Sequence, residues 1–185
     1  MSAARNLLGS AGASPAVVRA SRDTSFPSKA RGPAYYKRRL PHFERPWAKY
    51  MATFGTREHR KLAPAERGVI LQTILHDAGK KYELYAACVM PDHVHLLLSP
   101  RRNLDGWPYP LVDILQCLKS VTAHRINKML HLSGPVWQEE SFDHALRSDE
   151  SLKEKCEYIR QNPVRKGLVM RPEEYRWLWV DTDLG

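Results

Sequence analysis

Apolar residues recur along residues 49–161 with two different periods, which predict an alternation of strands and helices. Spacings of three and four residues predict three helices, at residues 64–78, 111–130 and about 149–161. Alternation or short aliphatic runs predict four strands, in KYMATFGTRE, KYELYAACVM, HVHLLLSP and FDHAL. The order strand, helix, hairpin, helix, strand, helix predicts an α+β fold with a mostly antiparallel sheet and helices packed on one face.

The same pattern assigns side chains to faces. In the second strand, alternation separates Leu84, Ala86 and Cys88 from Tyr85, Ala87 and Val89. In the last strand, one face is shared by Phe142, His144 and Leu146. The apolar stripe of the long helix is formed by Leu111, Leu115, Leu118, Thr122 and Met129.

Two histidines stand one residue apart in the third strand. Because strand side chains alternate between faces, His93 and His95 project together with Leu97, away from Val94 and Leu96. Imidazole is the commonest metal ligand, so a pair on a rigid strand is a candidate cation site. The alternative is an exposed face that carries two histidines and no ligand, and spacing alone does not separate these interpretations.

The last helix adds polar side chains beside its apolar stripe. At about 100° per residue, Leu152, Cys156 and Ile159 form the stripe, while Tyr158 and Asn162 stack on one flank. From that flank a tyrosine hydroxyl and an amide oxygen could reach a neighbouring site. The alternatives are a boundary tyrosine with its hydroxyl in water, and an asparagine that ends the helix before a proline.

Composition fits one globular domain with an extension. The chain has 185 residues and is 43% hydrophobic, which supports a packed core. Cys88, Cys117 and Cys156 suggest neither a disulfide framework nor a thiolate zinc cluster, so we expect small core residues in a reducing compartment. No apolar run approaches the roughly 18 residues of a membrane span, so no membrane association is expected.

Positive charge is concentrated at the N-terminus. The net charge is +9, and residues 1–45 hold nine Lys or Arg against two acidic residues. We therefore expect residues 1–40 to be a basic, disordered extension and residues 41–185 to be the folded domain. Basic extensions of this kind commonly bind polyanions such as nucleic acid. If this one binds DNA, the affinity should be sensitive to salt and should fall when residues 1–45 are removed. A solvated tail without a partner and a transit peptide are the alternatives.

Three motifs together resemble the single-tyrosine HUH transposases, and in particular the REP-associated tyrosine transposase branch. They are MPDHVHLLL, PVWQ followed by FDHALR, and YIRQNPVRKGLV. They follow the family's order and spacing over residues 40 to about 180, and His93, Val94 and His95 match the His, hydrophobic, His signature. Residues 1–33 lie outside the resemblance.

The resemblance implies a ferredoxin-like domain that cleaves and rejoins single-stranded DNA at hairpin-flanked sites, in the bacterial cytoplasm with the nucleoid. It implies that His93 and His95 bind Mg²⁺ or Mn²⁺, with Asn162 as a third ligand. Tyr158 is then the nucleophile that forms a 5′-phosphotyrosine bond. A cation suits this chemistry because a phenol with a pKa of about 10 attacks an anionic phosphodiester poorly.

Several other residues are candidates for contact with DNA. Phosphate contacts are predicted for Lys119, Arg125, Arg165 and Lys166, with solvation of helix faces as the alternative. Base stacking is a candidate role for Trp107, Tyr109 and Trp137, although a core position is the favoured interpretation for Trp137 and Trp177.

Two rival functions deserve comparison. A histidine-triad or zinc hydrolase is disfavoured, because Leu97 stands where the third histidine would be and no HExxH motif is present. A domesticated transposase that binds DNA hairpins without cutting them is compatible with the sequence, although the histidine pair and Tyr158 together favour an enzyme. The expected partner is single-stranded, hairpin-forming DNA, and the sequence leaves monomer and homodimer open.

Overall fold

The computed structural model describes residues 48–147 and 151–182, together with the backbone of two short strands. These strands, β1 (Tyr35–Tyr36) and β2 (His42–Phe43), pair antiparallel with each other. The predicted extension, residues 1–40, lies almost entirely outside the described residues. So does the predicted helix start near residue 149, because residues 148–150 are not described.

A five-stranded antiparallel sheet forms the centre of the domain. Its strands are β3 (Tyr50–Gly55), β4 (Tyr82–Val89), β5 (His93–Pro100), β6 (Phe142–Ala145) and β7 (Leu178–Val180), in the order β6-β3-β5-β4-β7. With α1 (Pro64–Asp77) after β3 and α2 (Leu111–Leu130) after β5, the first four of these strands follow the ferredoxin-like order. The predicted α+β class is confirmed.

Helices cover both faces of this sheet. α1 and α2 pack over an apolar cluster that contains Val94, Leu96 and Leu98. The helix α3 (Leu152–Arg160) packs over a second cluster, in which Leu97 meets Ile159. The arrangement therefore differs in this respect from the expectation that the helices share one face. The reason is that β4 and β5 carry apolar side chains on both faces, and each face has to be covered.

The strand β4 departs from strict alternation. Its register with β5 shifts between Leu84 and Ala86, which marks a β-bulge. Beyond the bulge, Ala87 joins Leu84 in the cluster under α1 and α2, whereas Ala86 and Cys88 face α3. The predicted grouping of Leu84 with Ala86 and Cys88 is wrong, because one extra residue exchanges the two faces.

The helices begin and end for local reasons. α1 starts with a proline, and the buried Glu66 accepts hydrogen bonds from the Ala63 backbone at 2.7 Å and from Arg60 at 2.6 Å. In α2 the predicted stripe is buried up to Thr122, but Ile126 continues it; Met129 is 38% exposed because it lies in the exposed last turn. The short helix α4 (Asn162–Arg165) follows α3 directly, and two 3₁₀ turns span Arg57–His59 and Pro172–Glu174.

Two expectations from composition can be compared with the described residues. All three cysteines are free; Cys88 and Cys156 are buried as predicted, and Cys117 is half-buried. None of the helices in the described part of the chain has the length and apolarity that a membrane crossing requires.

Candidate active site

Strand β5 places the two histidines side by side on the face that α3 covers. The Nε2 atoms of His93 and His95 are 3.1 Å apart, and the rings meet edge to face with centroids 4.7 Å apart. Val94, between them, points into the opposite cluster. The prediction that both rings project together is confirmed.

The other nitrogen of each ring is engaged by a side chain that orients it. His93 Nδ1 lies 2.7 Å from one carboxylate oxygen of Asp92, whose second oxygen accepts a hydrogen bond from Lys61 at 2.5 Å. His95 Nδ1 lies 2.8 Å from Thr53 Oγ1. Because an ionised carboxylate only accepts, the hydrogen of a neutral His93 is on Nδ1. In that tautomer the lone pair is on Nε2, which faces His95.

Burial keeps His95 neutral at neutral pH. His95 is 8% exposed, and burial lowers its pKa to about 4, with electrostatic repulsion from the protonated form of His93 and from Lys166 acting in the same direction. Burial raises the pKa of Asp92, but the hydrogen bonds from Lys61 and His93 outweigh it and leave that pKa below its usual value. At neutral pH the site combines a neutral imidazole at His95 with an ionised carboxylate behind His93.

The spacing of the two Nε2 atoms fits a divalent cation. Neighbouring ligands of an octahedral ion at about 2.1 Å lie about 3.0 Å apart. The observed separation is 3.1 Å. A carboxylate behind a ligating histidine is also a common outer-shell arrangement. Among the described residues, no group of three or more His, Cys, Asp or Glu side chains could hold a metal, so a third protein ligand would be of another type.

Helix α3 brings Tyr158 to the histidine pair. The ring centroids of Tyr158 and His95 are 6.4 Å apart, and the guanidinium of Arg165 lies 4.6 Å from the centre of the tyrosine ring. The predicted stripe anchors the helix, since Cys156 and Ile159 are buried. Tyr158 itself is 41% exposed, so it stands beside the pair and is open to solvent.

Asn162 lies midway along the chain between Tyr158, whose ring meets that of His95, and Lys166, whose charge acts on His95. Gln161 keeps helical backbone angles, so the path from α3 into α4 is nearly continuous and Tyr158, Asn162 and Lys166 follow at intervals of four residues. The Asn162 side chain is 5% exposed, and its Nδ2 atom has no hydrogen-bond partner. Turning the amide by a half-rotation exchanges its oxygen and nitrogen. A buried amide with an unpaired end fits a third cation ligand.

The predicted DNA contacts fall into two groups. The Arg165 guanidinium lies against the Tyr158 ring, and the charge of Lys166 acts on His95. Lys119 and Arg125 instead belong to α2 on the opposite face, where Lys119 donates to the Glu139 carbonyl at 2.8 Å and Arg125 to Thr73 Oγ1 at 2.7 Å. These bonds connect parts of the fold, and the DNA role of Lys119 and Arg125 stays a prediction.

The aromatic candidates also differ in position. Trp137 is buried, donates from Nε1 to Thr122 at 3.0 Å and meets Phe54 edge to face, so the core interpretation is confirmed. Trp177 is half-buried, with the guanidinium of Arg67 3.6 Å from its ring. Tyr109 is partly buried against the α1 and α2 cluster. Trp107 is 51% exposed in the loop after β5.

Sequence reasoning missed the side chains that orient the histidines. Asp92 carried a signal, since it directly precedes His93, but no role at the site was predicted for it. Thr53 carried no local signal, because its contact with His95 depends on the pairing of β3 with β5. Outer-shell partners from another strand become visible only once the register is known.

Comparison with known proteins now identifies the class. The family model described as "Transposase IS200 like" matches residues 47–162, which is more than half of the chain and includes both histidines, Tyr158 and Asn162. The chain belongs to the IS200-like transposases. This membership confirms the resemblance and implies a DNA nuclease with a tyrosine nucleophile.

Two known proteins are similar to this chain, one in sequence and one in fold. A protein of Haemophilus influenzae named for the REP-associated tyrosine transposases is 29% identical over 93 residues, which are 48% of this chain and 53% of that protein. The chain thus spans about half the length of this curated relative. The solved structure of a REP-associated tyrosine transposase bound to a REP hairpin has a TM-score of 0.59 and 18% identity, over 82% of this chain and 81% of that one. The two share a fold.

Proposed function

We propose that this chain is a metal-dependent strand transferase, which cleaves and rejoins single-stranded DNA beside a hairpin through a covalent bond to Tyr158. One observation carries the proposal. Tyr158 stands 6.4 Å, ring to ring, from His95, whose Nε2 atom lies 3.1 Å from that of His93. A nucleophile and a candidate cation site are therefore side by side on one face of the sheet.

The chemistry is an exchange of esters. The phenolic oxygen of Tyr158 attacks the phosphorus, a new oxygen–phosphorus bond forms, and the bond to the 3′ oxygen breaks. The 5′ end of the DNA is then linked to Tyr158; the phenol has lost a proton, and the departing 3′ hydroxyl has gained one. Because no water is consumed, the 3′ hydroxyl of another strand can reverse the step, which suits strand transfer better than hydrolysis.

The surrounding residues take supporting roles. His93, His95 and Asn162 are the side chains that would hold Mg²⁺ or Mn²⁺, with Asp92 and Thr53 orienting the rings. When bound, such a cation neutralises charge on the phosphoryl oxygens. Arg165 and Lys166 would contact neighbouring phosphates, which positions the strand without reading its sequence.

The proposal of a hairpin partner comes from the solved REP-associated tyrosine transposase, which is bound to a REP hairpin. We extend that partner to this chain as single-stranded DNA that forms a hairpin. The same complex also supports a second function, in which the chain binds hairpins without cutting them. The two functions differ in whether Tyr158 forms a covalent bond.

A denaturing gel separates them. We expect hairpin oligonucleotides from the DNA that flanks the gene to give a covalent adduct with Mg²⁺ or Mn²⁺, and none with EDTA. Tyr158→Phe removes the hydroxyl and should abolish the adduct. Tyr109→Phe removes a hydroxyl from a tyrosine packed on the other face, so it should leave the adduct intact. Hairpin binding by the unaltered chain without an adduct, in either metal, would favour the binding function.

A further inference from the structure

An exposed aromatic side chain stands in the same row of the sheet as the histidine site. Phe142, the first residue of edge strand β6, is 65% exposed. It pairs directly with Thr53, and Thr53 pairs directly with His95. Directly opposed residues of antiparallel strands share a face. Phe142, Thr53 and His95 therefore form one row across three strands.

This row leads away from the tyrosine helix into the half of the face that α3 does not cover. α3 packs against β4, β5 and β7, whereas Phe142 belongs to the far edge of the sheet beyond β3. Neighbouring strands are about 4.8 Å apart, so Phe142 is about 10 Å from His95 along the row. That distance is comparable to the reach of a nucleotide from its phosphate to the edge of its base.

The next row carries a polar side chain. Gly55 follows Thr53 on the same face of β3 and pairs with His93. The glycine leaves space for an amide, because a Cβ added at this position would lie 3.4 Å from Gln138 Oε1. The strip beside the histidines therefore offers the face of an aromatic ring and, one row on, an amide. An unpaired nucleobase presents the complementary surfaces, a flat ring and a polar edge.

We propose that Phe142 is the stacking surface for the unpaired base of the nucleotide next to the scissile phosphate. The proposal rests on the function above, since it takes the histidine pair as the place of that phosphate. The occupant is an unpaired base because a base within a duplex is already stacked on both sides and hidden from an aromatic side chain. Phe142 is thus assigned a positioning role, and Tyr158 keeps the chemistry.

The test measures binding apart from cleavage. All variants carry Tyr158→Phe, which cannot form the covalent bond, and are titrated in Mg²⁺ with hairpins whose single-stranded flank carries 2-aminopurine at one position at a time. Phe142→Leu keeps an apolar side chain but removes the aromatic face. We expect about tenfold weaker binding, and loss of the fluorescence quenching at one position. Phe142→Trp should restore both.

Two controls isolate stacking from other effects. Leu104→Ala removes an exposed apolar side chain from the loop beyond the far end of β5, and should change neither readout. Phe142→Leu removes no charge, so the slope of log affinity against log salt should stay constant. Arg165→Gln should instead reduce that slope by about 0.7, the value for one phosphate of a single strand.

The outcomes distinguish this proposal from the proposed function. Equal affinity of the Phe142→Leu and parent proteins, or quenching that does not depend on Phe142, overturns the stacking role. If the unaltered chain still forms its covalent adduct, the strand-transferase function stands. Absence of the adduct contradicts that function, whatever Phe142 does.

Discussion

His95 couples the stability of the sheet to pH. Burial lowers its pKa to about 4 in the folded chain, whereas an unfolded histidine has a pKa of about 6.5. Between these values the unfolded chain binds the extra proton, so folding stability is present above this window and is lost as pH falls through it. In EDTA, we expect His95 to cost the folded state roughly 2 kcal/mol at pH 4.5 relative to pH 7.

Urea denaturation at the two pH values checks this contribution. His95→Gln should show a smaller loss of unfolding free energy between pH 7 and pH 4.5 than the unaltered chain. His76→Gln changes a histidine whose side chain is 73% exposed and should leave the loss unchanged. If His95→Gln and the unaltered chain lost the same unfolding free energy between the two pH values, protonation of His95 would not contribute to the pH dependence of stability.

Asp92 is expected to act on the cation through His93. Its carboxylate lies 2.7 Å from His93 Nδ1, and removing such an outer-shell charge typically weakens metal binding by about 10- to 100-fold. We expect Asp92→Asn to lower the affinity for Mn²⁺ by that factor in a calorimetric titration without DNA. Asp77→Asn is the matched control, because Asp77 makes the same kind of contact with His76 at 3.1 Å on α1. Equal losses in both variants would count against the site.

Helices were easier to predict from the sequence than the faces of strands. α1 and α2 each end within a residue of the prediction, because proline at the start and a long apolar stripe are local signals. The bulge in β4 has no such signal, since it is defined by the partner strand. Which face of the sheet α3 packs against could not be predicted either. Leu97, which lies beside the two histidines, does show that this face also carries apolar side chains that a helix has to bury.

The residues of the site also divide into those that local patterns predict and those that depend on how strands and helices pack. His93 with His95, and Tyr158 with Asn162, could be paired in advance because strand and helix periods fix their relative directions. That the strand and the helix meet depends on α3 packing against β5, which neither period predicts. Thr53 and Phe142 were beyond prediction for a related reason. Both join the site only through the register of β3 with its two neighbours.

The anchoring of α3 should control the rate of the chemistry as well as stability. Ile159 is the fully buried residue by which α3 packs on its cluster, and Ile70 is a fully buried residue by which α1 packs on the other cluster. Shortening either to valine should cost about 0.5–1.5 kcal/mol of unfolding free energy. Only Ile159→Val loosens the helix that carries Tyr158, and small misplacements of a reacting group can slow a reaction up to about 100-fold.

Thermal denaturation and single-turnover adduct formation distinguish the two valine variants. We expect similar decreases in Tm and a slower adduct only for Ile159→Val, at saturating DNA. If both variants formed the adduct at the same rate, the packing under α3 would set stability alone, and Tyr158 would be positioned by something other than its helix.

Charge is distributed unevenly over the whole molecule. Residues 46–185 hold twenty basic and eighteen acidic side chains, so their net charge is only +2, whereas residues 1–45 carry +7. Within the described part, Lys61, Arg165 and Lys166 are close to the site. A short run of phosphates can be held there, and we propose that a larger contribution to affinity comes from the N-terminal charges.

Replacing the nine Lys and Arg of residues 1–45 with glutamine tests that contribution at constant chain length. Because each phosphate contact adds about 0.7 to the salt slope of single-strand binding, we expect a shallower slope and weaker binding in low salt. Deleting residues 1–45 should match the glutamine variant if charge is the cause, and should differ from it if the chain itself makes contacts. The adduct rate at saturating DNA should stay constant, since the site residues lie within 48–182. An unchanged slope in the glutamine variant would show that these charges do not touch the DNA.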